Sequence, residues 1–348
     1  MRYLISVAAG LLLACASLEV VFRLLPVSSG IRMTDTVPGM PYASYRPQQP
    51  YIYSYGWALN NMQRGVTNRQ GFTNSKDLQD GANALVLGDS FIESFMNRYE
   101  DTVQGRLDAA VGEVYAAAAS GNTLADALVL SRHFLPLTHA KHIIVFVEPG
   151  DLRAIEQPAG RGHNHFTFDG ATVGLHQVPY VEPAARRLVV KSALARYVYY
   201  QLKLPELTKG GTTKAWDKPD SAALARHREY RDRALAFLMT ELDKLRREYG
   251  TEFVFLVDGD RNAIYSHGKA EPNWLGDDRE QLFAEVRKHG FGLVDMQPLF
   301  AEHWQRYHER MDFLPMDGHW NPVAHKLAAD KVLEVMEEER GKKPAEAR

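Results

Sequence analysis

Ala84-Leu85-Val86-Leu87-Gly88-Asp89-Ser90 is a short apolar run that ends in a turn. Four apolar residues in a row, with no polar alternation, are what a strand buried on both faces looks like. Gly88 lets the backbone turn sharply behind it. Runs of the same kind recur at Val114-Tyr115-Ala116-Ala117, His142-Ile143-Ile144-Val145-Phe146-Val147, Glu252-Phe253-Val254-Phe255-Leu256-Val257 and Phe291-Gly292-Leu293-Val294. Helical patterns lie between them. Asp101-Thr102 opens one, with Val103, Leu107 and Val111 at helical spacing and Gly112 closing it, and Leu124 to Phe134 reads as another. Apolar strands alternating with helices predict an α/β fold, a mainly parallel five-stranded sheet covered by helices on both faces as a three-layer sandwich. Sites in such sheets lie beyond the carboxyl ends of the strands, where Gly88-Asp89-Ser90 falls.

Outside this alternation the chain changes character. Residues 27–80 are rich in Pro, Gly, Asn, Tyr and Gln and keep no lasting period, so they read as an irregular lead-in. Within it, Tyr51, Tyr53, Tyr55 and Trp57 offer a speculative sugar-stacking face. Residues 81–340 read as the main domain, interrupted by an insertion at 152–250 that covers the site. The insertion holds a hairpin around Asp169-Gly170, a basic amphipathic segment from Ala185 to Leu204 and a polar linker from Thr208 to Asp220. It ends in a long charged helix from Ala222 to Tyr249, with Leu235, Leu238, Leu242 and Leu245 on one stripe. Residues 341–348 are charged and read as a flexible tail.

Met1-Arg2 precedes a run from Tyr3 to Leu18 that no charge interrupts before Glu19. A basic start followed by an apolar stretch fits an export signal or an uncleaved anchor. Residues 1–26 are therefore read as a signal anchor or signal peptide, with a bacterial inner-membrane location and the domain on the periplasmic, extracytoplasmic side. A lipoprotein signal at Leu12-Leu13-Ala14-Cys15 and a buried helix are the alternatives. The net charge of −2, from 41 basic and 43 acidic side chains, is no footprint for nucleic acid. Cys15 is the single cysteine, so no internal disulfide and no cysteine-based metal site can form.

A serine needs a base to act as a nucleophile. Pro315-Met316-Asp317-Gly318-His319-Trp320-Asn321-Pro322, after the last strand, supplies one. Asp317 and His319 are two residues apart on one turn, which lets the carboxylate accept from Nδ1–H while Nε2 faces Ser90. Asn321 is placed to cap a helix that begins at Pro322. No Gly-x-Ser-x-Gly elbow, Walker loop or zinc-binding helix motif occurs. His163-Asn164-His165 reads as solvated loop histidines, and Asp258-Gly259-Asp260 as a turn.

These blocks resemble the SGNH/GDSL hydrolase superfamily over roughly residues 81–336. Gly88-Asp89-Ser90 matches its first block, with Phe91 where the family name has leucine. Ala119-Ser120-Gly121-Asn122-Thr123 is similar to the second block, and Asp317-Gly318-His319 to the last. The resemblance implies a Ser90, His319 and Asp317 triad, an oxyanion held by the N–H groups of Ser90 and Gly121, and no cofactor or metal. The third block departs from the pattern. Glu148-Pro149-Gly150-Asp151 puts Gly150 where the family has an asparagine whose amide completes the oxyanion hole. Losing one such donor costs about 3 kcal/mol, roughly a hundredfold in rate. Three explanations stay open: another donor such as Asn122 substitutes, the enzyme is slow and selective, or it no longer catalyses anything.

The expected function is a serine-dependent esterase acting on acyl or acetyl esters of envelope or exported glycans. O-acyl transfer to a polysaccharide and a non-catalytic binding or assembly role are the alternatives. The implied partners are an acylated carbohydrate or other ester, and a membrane reached through the N-terminal segment. Protein partners are unknown from the sequence.

Overall fold

The structure, a computed structural model, describes residues 1–202, 220–270 and 273–342. The expected linker at 208–220 and tail at 341–348 lie almost wholly outside these residues. Helix α1 (Arg2–Leu24) precedes a hairpin of β1 (Pro50–Tyr55) and β2 (Asn60–Val66). The lead-in is thus not wholly irregular. Tyr51, Tyr53 and Tyr55 alternate at the strand period, a signal masked by the polar residues between and after them.

The central unit begins with β3 (Ala84–Gly88), α2 (Ser90–Glu93), α3 (Val103–Val111), β4 (Val114–Ala118), α4 (Leu124–Thr138), β5 (His142–Val147) and α5 (Pro149–Arg153). The elaboration after it carries the hairpin β6 (Asn164–Asp169) and β7 (Thr172–Gln177), turning at Asp169-Gly170 as expected, then α6 (Ala184–Val189) and α7 (Ala193–Arg196). The chain returns through α8 (Ser221–Tyr249), β8 (Glu252–Val257), α9 (Arg261–Tyr265), α10 (Asp278–Lys288), β9 (Gly292–Asp295) and α11 (Met296–Tyr307). It closes with β10 (Asp312–Phe313), β11 (Asp317–Trp320) and α12 (Pro322–Lys342).

Five strands form one wholly parallel sheet in the order β4-β3-β5-β8-β9. Side chains alternate between its faces. Leu85, Leu87, Ile143, Val145, Phe253 and Phe255 pack on one side against α4 and α8. Val86, Ile144, Val254, Leu256 and Val294 pack on the other against residues of α3 and α12, including Leu107, Ala328 and Val332. This is the expected three-layer sandwich.

The insertion at 152–250 needs correction. Leu235, Leu238, Met239 and Leu242 of α8 are fully buried against the sheet. This helix is the crossover between β5 and β8 and a member of the outer layer, not part of a cover. Its charged composition hid the role, because one apolar stripe suffices to seat a helix on a sheet.

Asp126 ties the elaboration to the core. Fully buried in the first turn of α4, it accepts from the Thr123 N–H at 2.9 Å, and from both the backbone N–H and the side-chain amide of Asn164 at 2.8 Å. Asp126→Ala removes a cap and strands the two Asn164 donors. It is expected to destabilise the fold by about 3 kcal/mol, read as a lowered urea midpoint at unchanged slope.

Candidate active site

β3 ends at Gly88, and a Cβ there would meet Ile92 at 2.5 Å and Phe146 at 3.1 Å. Only glycine lets the strand pass so close to α2. Asp89 then caps α2, its Oδ1 accepting from the Phe91 N–H at 2.9 Å. Ser90 stands in the first turn. The segment that faces it is held from the other end of the chain. Trp320, fully buried, donates its indole N–H to Asp258 at 2.8 Å and packs edge-on against Phe146 and Phe300. Asn321 caps α12, accepting from the Val323 N–H at 3.0 Å.

Asp317 and His319 lie on β11, a short strand rather than the expected turn. Residues two apart on a strand share a face, so the juxtaposition holds for a different reason. His319 Nε2 is 2.8 Å from Ser90 Oγ, and Nδ1 is 2.5 Å from Asp317 Oδ1. The same carboxylate oxygen accepts from the His319 backbone N–H at 2.9 Å. Tyr53 of β1 donates its hydroxyl to the other oxygen at 2.9 Å. That residue was missed in its role. The strand period marks the tyrosines as lying on one face, but nothing local says that the face meets Asp317. Tyr51 is buried, and Tyr53 is half-buried with its hydroxyl committed to Asp317, so these two do not form an open sugar-stacking surface.

Charge at the site follows from burial and partners. Burial opposes ionisation of Asp317, yet the His319 hydrogen bond and charge, the His319 backbone N–H and the Tyr53 hydroxyl hold it down at about 2. Burial also opposes a charged His319. The Asp317 bond and charge, with Asp89 and Glu93 behind, outweigh it and raise the imidazole above its ordinary value. Burial pushes Asp89 up to about 7, helped by the charge of Glu148. Burial likewise pushes Glu93 up to about 7, against hydrogen bonds from Ser120 and Tyr45. Glu148 and Asp151 are raised too, by burial first and then by neighbouring carboxylates.

A cavity of about 350 Å³ opens beside Ser90. Gly121 lines it at φ +91°, a backbone conformation suited to glycine. Ile155, His165 and Phe166 of the elaboration form another wall, so this part of the insertion does border the site. Asn122 also lines the cavity, but its amide nitrogen donates to the Gly88 carbonyl at 3.0 Å and its oxygen faces His163 Nδ1 at 3.1 Å. It braces the end of β3, with one of its two amide N–H groups committed to that carbonyl. At Gly150 a Cβ would lie 2.2 Å from Glu148 Oε1. The Glu148 carboxylate thus fills the space that an asparagine side chain would need. His163 is buried and held by Asn122, not solvated. Asp258 is buried against Trp320, not a plain turn residue. Among the described residues, no cluster of three His, Cys, Asp or Glu side chains is arranged to hold a metal ion.

Residues 219–348 match the family model described as "SGNH hydrolase-like domain, acetyltransferase AlgX". The match takes in Asp317 and His319 but not Ser90. This C-terminal stretch is similar to an SGNH hydrolase-like domain. No curated protein matches the chain in sequence. Among solved structures, the acetyl xylan esterase AlAXEase is 11% identical, covering 72% of this chain and 98% of that one, with a TM-score of 0.41. A catalytic mutant of Axe2, an acetylxylan esterase from Geobacillus stearothermophilus, is 10% identical, covering 74% and 95%, with a TM-score of 0.38. LAE5, an alpha/beta hydrolase enzyme from the metagenome of Lake Arreo, is 13% identical, covering 75% and 97%, with a TM-score of 0.40.

The forces on His319 make a checkable statement. Asp317→Asn removes the charge that raises the imidazole and leaves burial, which lowers it. A histidine NMR titration is expected to place His319 above the ordinary 6.5 in the parent protein and clearly lower in Asp317→Asn.

Proposed function

We propose that the chain is a membrane-anchored, extracytoplasmic serine esterase that cleaves acyl esters, acetyl in the first place, on envelope or exported glycans. The observation that carries this reading is the 2.8 Å approach of His319 Nε2 to Ser90 Oγ, with Asp317 behind the imidazole. Ser90 Oγ attacks the ester carbonyl as His319 takes its proton. The imidazolium that forms is stabilised by Asp317. The N–H groups of Ser90 and Gly121 receive the developing oxyanion. His319 returns the proton to the departing alcohol, and an acyl-Ser90 remains. Water, deprotonated by His319, then attacks the acyl carbon and releases the acid with free Ser90. Gly150 supplies no side-chain donor, so the oxyanion hole of this reading is smaller than the resembled family's.

The second reading replaces that water by a sugar hydroxyl, giving O-acyl transfer. It is favoured by the acetyltransferase named in the family description. Both use the same covalent intermediate.

Two observations support an anchor that is retained. Among the described residues, α1 is the one helix long and apolar enough to cross a membrane. Glu19, within it, accepts from Ser192 Oγ at 2.7 Å and from the N–H groups of Ala193 and Leu194 at 3.0 and 2.8 Å. Cleavage near residue 26 would remove this docked carboxylate.

Labelling by a fluorophosphonate probe tests the nucleophile. The expected result is labelling of the full chain and none of Ser90→Ala. Absence of both would favour a non-catalytic protein. Acetyl-ester turnover with and without an added glycan separates the two reactions, because Ser90-dependent appearance of acetylated glycan would overturn plain hydrolysis. Tyr53→Phe keeps the ring and deletes one hydrogen bond to a charged group, so kcat should fall about tenfold, ~1.5 kcal/mol, at nearly unchanged KM. An unchanged kcat would leave Tyr53 a packing residue only.

A further inference from the structure

The stretch 184–202 carries Arg186, Arg187, Lys191 and Arg196, with Tyr197, Tyr199 and Tyr200, and no acidic residue. Nothing in the esterase chemistry uses it. Its position is set by the end of α1. Glu19 caps α7, Arg23 donates to the Lys191 carbonyl at 3.2 Å, and the rings of Phe22 and Tyr197 stack at 4.1 Å. Tyr197 in turn donates its hydroxyl to the carbonyl of Trp57 at 2.8 Å, at the tip of the β1–β2 hairpin. A continuous set of contacts therefore joins the helix end, the basic segment and the hairpin tip.

Several large apolar and aromatic side chains of this set are exposed. Trp57 is 75% exposed and Leu188 69%, while Leu24 and Tyr199 are also exposed. Arg187 and Lys191 of the same stretch are exposed too. The uncharged run from Tyr3 to Leu18 has sixteen residues, which span ~24 Å as a helix against a hydrocarbon core of ~30 Å. A helix that short brings Glu19 to the edge of the core, where its three hydrogen bonds and the Arg23 ion pair satisfy it. The groups docked on Glu19 and Phe22 must then lie at headgroup depth. Trp and Tyr favour that layer, and basic side chains there are attracted to anionic lipids.

We infer that α6, α7, Tyr197–Gln201 and the tip residue Trp57 form a collar that lies in the headgroup layer of an anionic-lipid leaflet, the one from which α1 emerges. This rests on the reading of α1 as a membrane anchor. The collar fixes how the domain stands on the bilayer, because Glu19, Phe22 and Arg23 tie it to the anchor at three points.

The test uses the full chain reconstituted in vesicles of equal parts phosphatidylcholine and phosphatidylglycerol, with the phosphatidylcholine brominated on its acyl chains near the headgroup. Tryptophan fluorescence is compared between the parent protein and Trp57→Phe, an exposed-site change. The expected result is quenching by the brominated lipid that is mostly lost in Trp57→Phe. Arg187→Glu combined with Lys191→Glu should reduce it as well, towards its value in vesicles of phosphatidylcholine alone. Equal quenching of parent and Trp57→Phe in floated vesicles overturns the collar while leaving the anchor intact. Quenching that ignores both the charge reversal and the lipid charge overturns the choice of an anionic leaflet. A chain that does not float with the vesicles at all overturns the anchor and the collar together.

Discussion

Ser90 and His319 are 229 residues apart in the chain and meet across one hydrogen bond. Holding that bond is the constraint around which the C-terminal third is built. One partner is fixed by Gly88, which lets β3 run into α2 without a clash. The other rides on β11, a strand of four residues whose pairing with the two-residue β10 is too slight to hold it. Trp320 does the holding. Its ring is sunk among Phe91, Phe146 and Phe300, and its N–H ends on the buried Asp258 beyond β8. A large ring whose one polar atom is satisfied cannot tilt without losing both its packing and its bond.

The carboxyl groups around Ser90 show what this enclosure does electrically. Asp89, Glu148 and Asp151 act on one another, Glu93 lies at the end of α2, and burial raises each of the four. Asp317 alone is pulled down, because His319 and Tyr53 meet its two oxygens. Ionisation is thereby eased at the carboxylate that faces the imidazole and opposed at the four around it.

The segments outside the sandwich brace it as well as border the site. Tyr53 brings the lead-in hairpin onto Asp317. Arg32 and Arg46 from the lead-in pair with the buried Glu182 of the elaboration. Thr73 and Asn74 donate to the carbonyl of Glu93 at the end of α2. The lead-in is thus a strap that joins α2, Asp317 and the elaboration that borders the cavity.

The fold was legible in the sequence because strands buried on both faces must be apolar, and Ala84–Leu87, Ile143–Val147 and Phe253–Val257 are. Ser90, Asp317 and His319 were legible as a candidate set because a serine after the first sheet strand and an Asp-x-His pair after the last suit one another chemically, and the structure brings their side chains together. The sequence by itself thus determined the layers, the sheet and a candidate set of three polar side chains. Tertiary structure decided the rest. It placed Tyr53 on Asp317, set Glu148 into the space beside Gly150, tied Asn122 to Gly88, and laid the charged helix α8 on the sheet. Each of these depends on which surfaces meet across long stretches of chain. Local pattern records a residue's own conformation and burial, not the distant group that will stand opposite it.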